Sequence, residues 1–377
     1  MFSTSIKTFK TFLVVSIGIV IFGDIMVFSA AQVVGLRDGG GSFSVSWKQI
    51  MLSILAVGFA WLVAQLPIKS LKLIARSSLL IGVAFMLLLI PFGQEINGNT
   101  NWVDLGPFDF QPSEFAKVCL IIWSAFIIER NFGDANKIFI QLSIGFAIIL
   151  LVVLYGQDLG SAVVIGLILA TLVYLAGASS KYLAGIMGFG IAGVAILIAM
   201  QPYRIERFTA FIHPFADGIY KNAGWQPAHS LMALGSGGLF GSGIGASKQK
   251  WGNLAEAHTD FIFGVIGEEF GLLGTLTTIA AISIMVISII KIALSANDTF
   301  SRYLGLGIAF WIGFQSLINL ASATSLIPVV GVTLPFISYG GSSLLATVGA
   351  LGFVAGIALR NPQISKELNV RWPRGAK

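Results

Sequence analysis

Apolar residues in this chain gather in long runs near 11–31, 49–66, 74–92, 114–129, 137–155, 159–178, 182–201, 262–290, 303–327 and 340–359. A helix needs about 20 mainly apolar residues to cross a bilayer, so the pattern predicts an all-α polytopic membrane protein with ten spans. The alternating polarity of a membrane β-barrel is missing. The 262–290 run is longer than one crossing requires, which predicts a broken or tilted helix. No small-residue cleavage site follows the first run, which therefore reads as a retained span and not a removable signal peptide.

An even number of spans puts both termini on one side, and cytoplasmic segments collect Lys and Arg. With the N-terminus inside, the inner segments hold Lys7, Lys10, Lys69, Lys72, Arg76, Arg130, Lys137, Lys181, Lys291, Arg302, Arg360, Lys366, Arg371, Arg374 and Lys377. The outer side holds Arg37 and Lys48 in a short loop and Lys117 near a helix start. Both termini are therefore expected to be cytoplasmic. Residues 202–259 form one large extracytoplasmic loop within a single membrane domain spanning 1–377. That loop carries Arg204, Arg207, Lys221, Lys248, Lys250 and a glycine cluster from Gly235 to Gly245. Its leucines, isoleucines and phenylalanines predict that part of it folds back along the membrane surface.

Composition narrows the picture further. Of 377 residues, 56% are apolar and 11% charged, and the mean hydropathy is +0.87, too little polar surface to cover a water-soluble globule. The net charge of +6 is spread over the ends of the apolar runs, which argues against a nucleic-acid partner. The single Cys119 precludes an intrachain disulfide and thiolate metal sites. No internal repeat of the secondary-transporter kind is visible.

Ionisable residues at a membrane boundary point to function or to buried pairs. Glu256, His258, Asp260, Glu268 and Glu269 cluster where the long loop meets the next span. Asp260 is the last polar group before the apolar run; it is either a half-desolvated general base or a helix cap. Ser113 is placed to cap the fourth span, and Glu114 and Lys117 stand at i,i+3, so they serve a site or form a structural ion pair. Asp158 either caps the sixth span or faces a polar cavity. The turn Pro328–Ser343, with two prolines and paired glycines, is irregular backbone suited to lining a cavity. Asp24 sits inside the first span without an evident partner.

The segments Asn101–Lys117, Gly235–Lys250, Glu256–Gly271 and Pro328–Ser343 closely resemble the SEDS family of shape, elongation, division and sporulation proteins (FtsW, RodA, SpoVE). The motifs fall in the family's order across most of the chain, and the ten spans agree with its topology. The resemblance implies a peptidoglycan glycosyltransferase in the bacterial cytoplasmic membrane. It would polymerise lipid II into undecaprenyl pyrophosphate-linked glycan on the outer face. The implied partners are a class B penicillin-binding protein, a transpeptidase, and other division or elongation proteins. By motif match, Asp260 takes the place of the family's essential aspartate, and Trp102, Glu114 and Lys117 fall at other functional positions. Ala255, Gln157 and His229 stand where many relatives have Pro, Pro and Gln.

The implied chemistry joins a sugar 4-hydroxyl to an anomeric carbon with inversion, Asp260 taking the hydroxyl proton. The departing pyrophosphate needs cations. Arg204, Arg207, Lys248, Lys250 and Lys117 are the candidates, with attraction to anionic headgroups as the other explanation. A divalent cation, Mg2+ or Mn2+, could bridge the same oxygens, and the sequence names no ligands for it. Asp158, His258, Ser338, Gly340, Gly341 and Ser342 complete the expected substrate site. A lipid II flippase and a non-catalytic scaffold are the rival functions. Pro335, Phe336 and the glycine-rich loop lean towards a division role, although Pro328–Gly331 also suits elongation.

Overall fold

The computed structural model describes residues 6–37, 41, 43–96, 99–104, 106, 109–199 and 202–368. The basic residues Arg371, Arg374 and Lys377 lie outside them. The chain begins with α1 (Ile6–Ala30), α2 (Gln32–Arg37), α3 (Ser44–Ala64), α4 (Ile68–Leu87) and α5 (Leu89–Phe92). Three short strands follow, β1 (Gly93–Ile96), β2 (Asn99–Asp104) and β3 (Asp109–Phe110). Next come α6 (Pro112–Arg130), α7 (Ala135–Tyr155), α8 (Leu159–Leu175), α9 (Ser180–Ala199), α10 (Pro202–Ile212) and α11 (Trp225–Ser236). The last elements are α12 (Ile262–Leu294), α13 (Thr299–Ala323), α14 (Gly341–Leu359) and α15 (Pro362–Glu367).

Every apolar run of the sequence coincides with one of the longer helices. Among the described residues, seven helices are long and apolar enough to cross a membrane: α1, α3, α4 continued by α5, α7, α12, α13 and α14. The α8 helix and the first part of α9 are apolar but shorter. The α6 helix carries Glu114, Lys117, Glu129 and Arg130, and tolerates them because its neighbours α4 and α13 cover it. Trp311 of α13 is wholly buried against this centre.

Tight turns join the helices alternately at the two ends of the bundle. One end gathers the short α3–α4, α6–α7, α8–α9 and α12–α13 connections. There Lys72 pairs with Glu129 at 2.7 Å, and the Tyr303 hydroxyl donates to Leu175 O at 2.9 Å. The other end gathers the longer connections and the first turns of α6, α8, α12 and α14. That end holds the site.

The mainly helical class stands, with several details added or corrected. A three-stranded antiparallel sheet, ordered β1-β2-β3, interrupts the all-helical pattern between α5 and α6. The 202–259 segment is not one loop but includes α10 and α11, and α11 packs on α12. Ser113 is not the cap of α6; the helix starts earlier, from Gln111 with Pro112 at its first position, where a missing N–H costs nothing. Asp24 does have a partner, since the Ser53 hydroxyl donates to its Oδ1 at 2.7 Å. The α12 helix breaks at Gly271, with φ 65° and ψ −160°, as its length foreshadowed.

Candidate active site

A cavity of about 500 Å³ opens among the first turns of α6, α8, α12 and α14. Asp260 lies in its wall, half-buried, two residues before α12 begins. It does not cap that helix, because the cap position is Phe261 and no side chain caps there. The backbone on which Asp260 sits is clamped at three consecutive carbonyls. Tyr339 N donates to His258 O at 2.8 Å, the Ser338 hydroxyl to Thr259 O at 2.6 Å, and Asn319 Nδ2 to Asp260 O at 2.8 Å. The Asp260 carboxylate itself accepts no hydrogen bond from the described residues. Gly331, at φ 74°, lies beside it, where an added Cβ would come 3.7 Å from Oδ2.

Burial pushes the Asp260 carboxyl up to about 7. The negative charge of Glu256 adds to the rise, Arg207 opposes it, and Asp158 contributes a further increase. A carboxyl in this condition can take or return a proton near neutral pH, as a general base requires. Glu256 and Gln157 also line the cavity in left-handed backbone conformations, φ 55° and 58°. Non-glycine residues rarely adopt these angles, and they collect at functional sites.

The structure brings Trp102, Glu114, Asp158, Arg207, His258, Gly340 and Gly341 to the same cavity as Asp260. Asp158 does both things the sequence allowed: it caps α8, accepting from Ser161 N at 2.9 Å, while it lines the cavity. Gln111, Ser113 and Ser161 side chains saturate its other oxygen. Glu114 and Lys117 form the expected ion pair at 2.7 Å, both buried. Lys117 also donates to Gln315 Oε1 at 2.8 Å and sits 5.3 Å from the centre of the Trp311 ring.

Other sequence candidates are placed elsewhere. Lys117 lies wholly buried behind the cavity wall, with its charge paired to Glu114. Ser338 and Ser342 are buried brackets: Ser342 accepts from Gln111 N at 2.9 Å, and Ser338 holds Thr259 as described. Lys248 is exposed and Lys250 is buried against Glu269, and neither reaches the cavity. Arg204 belongs to α10, but its side chain lies outside the described residues. Of the cationic side chains expected to meet pyrophosphate, Arg207 is the described one that lines the cavity. The acidic cluster also divides, since Glu256 faces the cavity while Glu268 and Glu269 turn to the loop behind it.

Sequence reasoning missed Asn99, Asn101 and Gln111 on the cavity wall, and Gln315 and Asn319 behind it. Gln315 and Asn319 carried a readable signal. They are amides four apart inside an apolar span, a costly placement that calls for partners on one helix face. Among the described residues, no group of three or more His, Cys, Asp or Glu is arranged to hold a metal ion.

The family model for cell cycle proteins of the FtsW, RodA and SpoVE type matches residues 9–363. A protein of Aeromonas salmonicida named "Probable peptidoglycan glycosyltransferase FtsW" is 33% identical over 368 residues, covering 96% of this chain and 93% of that protein. Its Escherichia coli O6:H1 namesake is 36% identical over 343 residues, covering 89% and 82%. Among solved structures, a chain from a peptidoglycan synthase complex superposes with TM-score 0.75 at 25% identity, covering 93% of this chain and 98% of that one. The rod shape determining protein RodA of Thermus thermophilus superposes with TM-score 0.68 at 26% identity, covering 93% and 97%. With a match that runs nearly end to end, this chain belongs to the FtsW/RodA/SpoVE family of cell cycle proteins.

Proposed function

We propose that this protein is a peptidoglycan glycosyltransferase that polymerises lipid II at the outer face of the cytoplasmic membrane, and that Asp260 is its general base. One observation carries the role of Asp260. It is a carboxylate with no hydrogen bond from the described residues, set in a cavity wall where burial and Glu256 hold it near neutral pKa.

In this reading the Asp260 carboxylate accepts the proton of the acceptor's 4-hydroxyl. The freed oxygen attacks the donor's anomeric carbon, and the bond from that carbon to the pyrophosphate oxygen breaks, inverting the centre. Arg207 stands on the same cavity wall and offsets the charge of the departing undecaprenyl pyrophosphate through charge-assisted hydrogen bonds. A divalent cation bridging the pyrophosphate oxygens would need only one or two of the cavity's carboxylates beside those oxygens, and no step is assigned to one. The cavity mouth then faces the periplasm and both termini the cytoplasm, in keeping with Lys69, Lys72, Lys137, Lys181 and Lys291 at the opposite end of the bundle.

The similarity to FtsW proteins favours a division role, with a class B penicillin-binding protein as the crosslinking partner. Transport of lipid II is disfavoured, because the buried ionisable side chains, Glu114, Lys117 and Asp158 among them, lie towards the cavity end while buried apolar side chains such as Leu120, Ile121 and Ile308 fill the middle. The deciding experiment supplies labelled lipid II to the purified protein and its partner, wild type beside Asp260→Asn. Polymer from wild type alone is expected. Equal polymer from both would remove Asp260 from the chemistry, and lipid movement across vesicles without polymer would make the protein a transporter.

A further inference from the structure

Behind the cavity, a second polar cluster is fully buried and touches no part of the site. Lys250 Nζ stands 2.8 Å from Glu269 Oε1, with both side chains at 0% exposure. Lys250 also donates to the Ser29 hydroxyl at 2.8 Å, and that hydroxyl lies 2.7 and 2.9 Å from the two Glu269 oxygens. Three separate elements meet here: α1 through Ser29, the loop after α11 through Lys250, and α12 through Glu269. The adjacent Glu268 accepts from the Ser247 hydroxyl and from Lys248 N and Gln249 N, at 2.5, 2.9 and 3.2 Å.

The position of this cluster along α12 gives it mechanical meaning. The helix is severed at Gly271, so Ile262–Phe270 is a short rod with no helical continuity to the span beneath it. Asp260 stands at the upper end of that rod, and Glu268 and Glu269 at its lower end. The glycine-rich segment replaces the lost helical partners: Leu272 N donates to Gly238 O, Leu273 N to Leu239 O, and Ser242 N and Gly243 N to the carbonyls of Glu268 and Glu269. The fit leaves no room for side chains. A Cβ on Gly271 would lie 2.5 Å from Gly241 N, and one on Gly241, at φ 80°, would lie 2.1 Å from Glu269 O.

We infer that the Lys250–Glu269–Ser29 triad is a latch that positions the rod carrying Asp260, making Lys250 and Glu269 positioning residues for sugar transfer. The inference rests on the function proposed above. A rod about 13 Å long, at 1.5 Å per residue, converts a small rotation at its latched end into a displacement of the carboxylate. A displacement on the order of 1 Å costs about 10²-fold in rate. The latch also accounts for a lysine buried away from the cavity. A buried cation already bonded to the Glu269 carboxylate and the Ser29 hydroxyl is committed to them.

The test compares Lys250→Met with the double variant Lys250→Met/Glu269→Gln in the lipid II assay, with Asp260→Asn alongside. The single change strands the Glu269 charge. Its kcat is expected to fall about 10²-fold with KM for lipid II within about twofold of wild type. The acid limb of its pH–rate profile should shift, because the moved carboxylate changes its distance from Glu256 and Arg207. Removing both charges should recover at least about tenfold of the lost rate and return the acid limb to its place. A raised KM with unchanged kcat, or a double variant no faster than the single one with the wild-type pH limb throughout, overturns the latch. Where Lys250→Met does not fold, Ser29→Ala takes its place, with a smaller fall in kcat and the same shift of the limb expected. If wild type makes no polymer, or Asp260→Asn makes as much as wild type, the proposed function fails and the latch falls with it. With wild type active and Asp260→Asn inactive, the Lys250 variants judge the latch alone.

Discussion

The cavity has two walls built on different plans. One comes from α6, α14 and the 328–340 turn, backed by α13, where Lys117, Gln315 and Trp311 are at 0% exposure and bonded to one another. The other comes from α9 and α10, whose Val194, Ile198, Arg207 and Phe208 line the cavity. The α9 helix has no fully buried side chain among its described residues, and it packs mainly on α8 and α10. The first wall has to be right for the bundle to close. The second has little beneath it to support and is free to serve the ligand. Substitutions in the braced wall should therefore lower stability and activity together, and those in the thin wall should lower activity alone.

Asp260 sits between the walls and gives the largest expected effect. Asp260→Asn should lose about 10²–10⁴-fold in polymerisation rate. It should be no less stable than wild type at pH 8. The folded carboxyl has a raised pKa, so its burial lowers stability as pH climbs from the ordinary carboxylate range to about 7, and the amide escapes that penalty. A thermal denaturation series across pH checks both parts. In the braced wall, Lys117→Met strands Glu114 and should cost about 3–5 kcal/mol of stability, lost activity following from lost fold. Adding Glu114→Gln should restore much of the melting temperature.

In the thin wall, Arg207→Gln should lower the rate about 10–100-fold through lost charge-assisted bonds, with an unchanged melting temperature. Since Arg207 draws the Asp260 carboxyl downward, its loss should also move the acid limb of the pH–rate profile to higher pH. For the wild type, the rate should rise about tenfold from pH 6 to pH 8 as a base with pKa about 7 loses its proton. Phe208→Ala should be the mildest, changing KM by about a fewfold with no stability cost, since Phe208 is 44% exposed. A drop in melting temperature for the α10 variants, or none for Lys117→Met, would erase the contrast.

The helices were readable because a bilayer crossing imposes a length, which seven of them meet outright among the described residues. The strands were not. They are two to six residues long and mostly polar, with no sustained alternation, so neither period nor propensity marks them. For the site, Asp260 was legible as a carboxylate at an apolar boundary, together with the motif around it. Lys250 was not, because a sequence records that it is charged but not that Glu269 has already claimed the charge. Asp24 shows the same gap from the other side, its partner Ser53 lying 29 positions away on another helix. The misplaced start of α6 was avoidable, since Pro112 before Ser113 signalled an earlier first turn.

Four helices begin at the cavity: α6, α8, α12 and α14. Each start carries roughly half a positive elementary charge from its aligned peptide dipoles. Glu114, Asp158, Glu256 and Asp260 crowd the walls with acid, an arrangement that would ordinarily repel a lipid pyrophosphate. The backbone supplies a compensating field that no side chain has to provide, and it is fixed by chain direction alone. A site that must keep a carboxylate base and still welcome an anion can thus be built without surrounding that base with lysines.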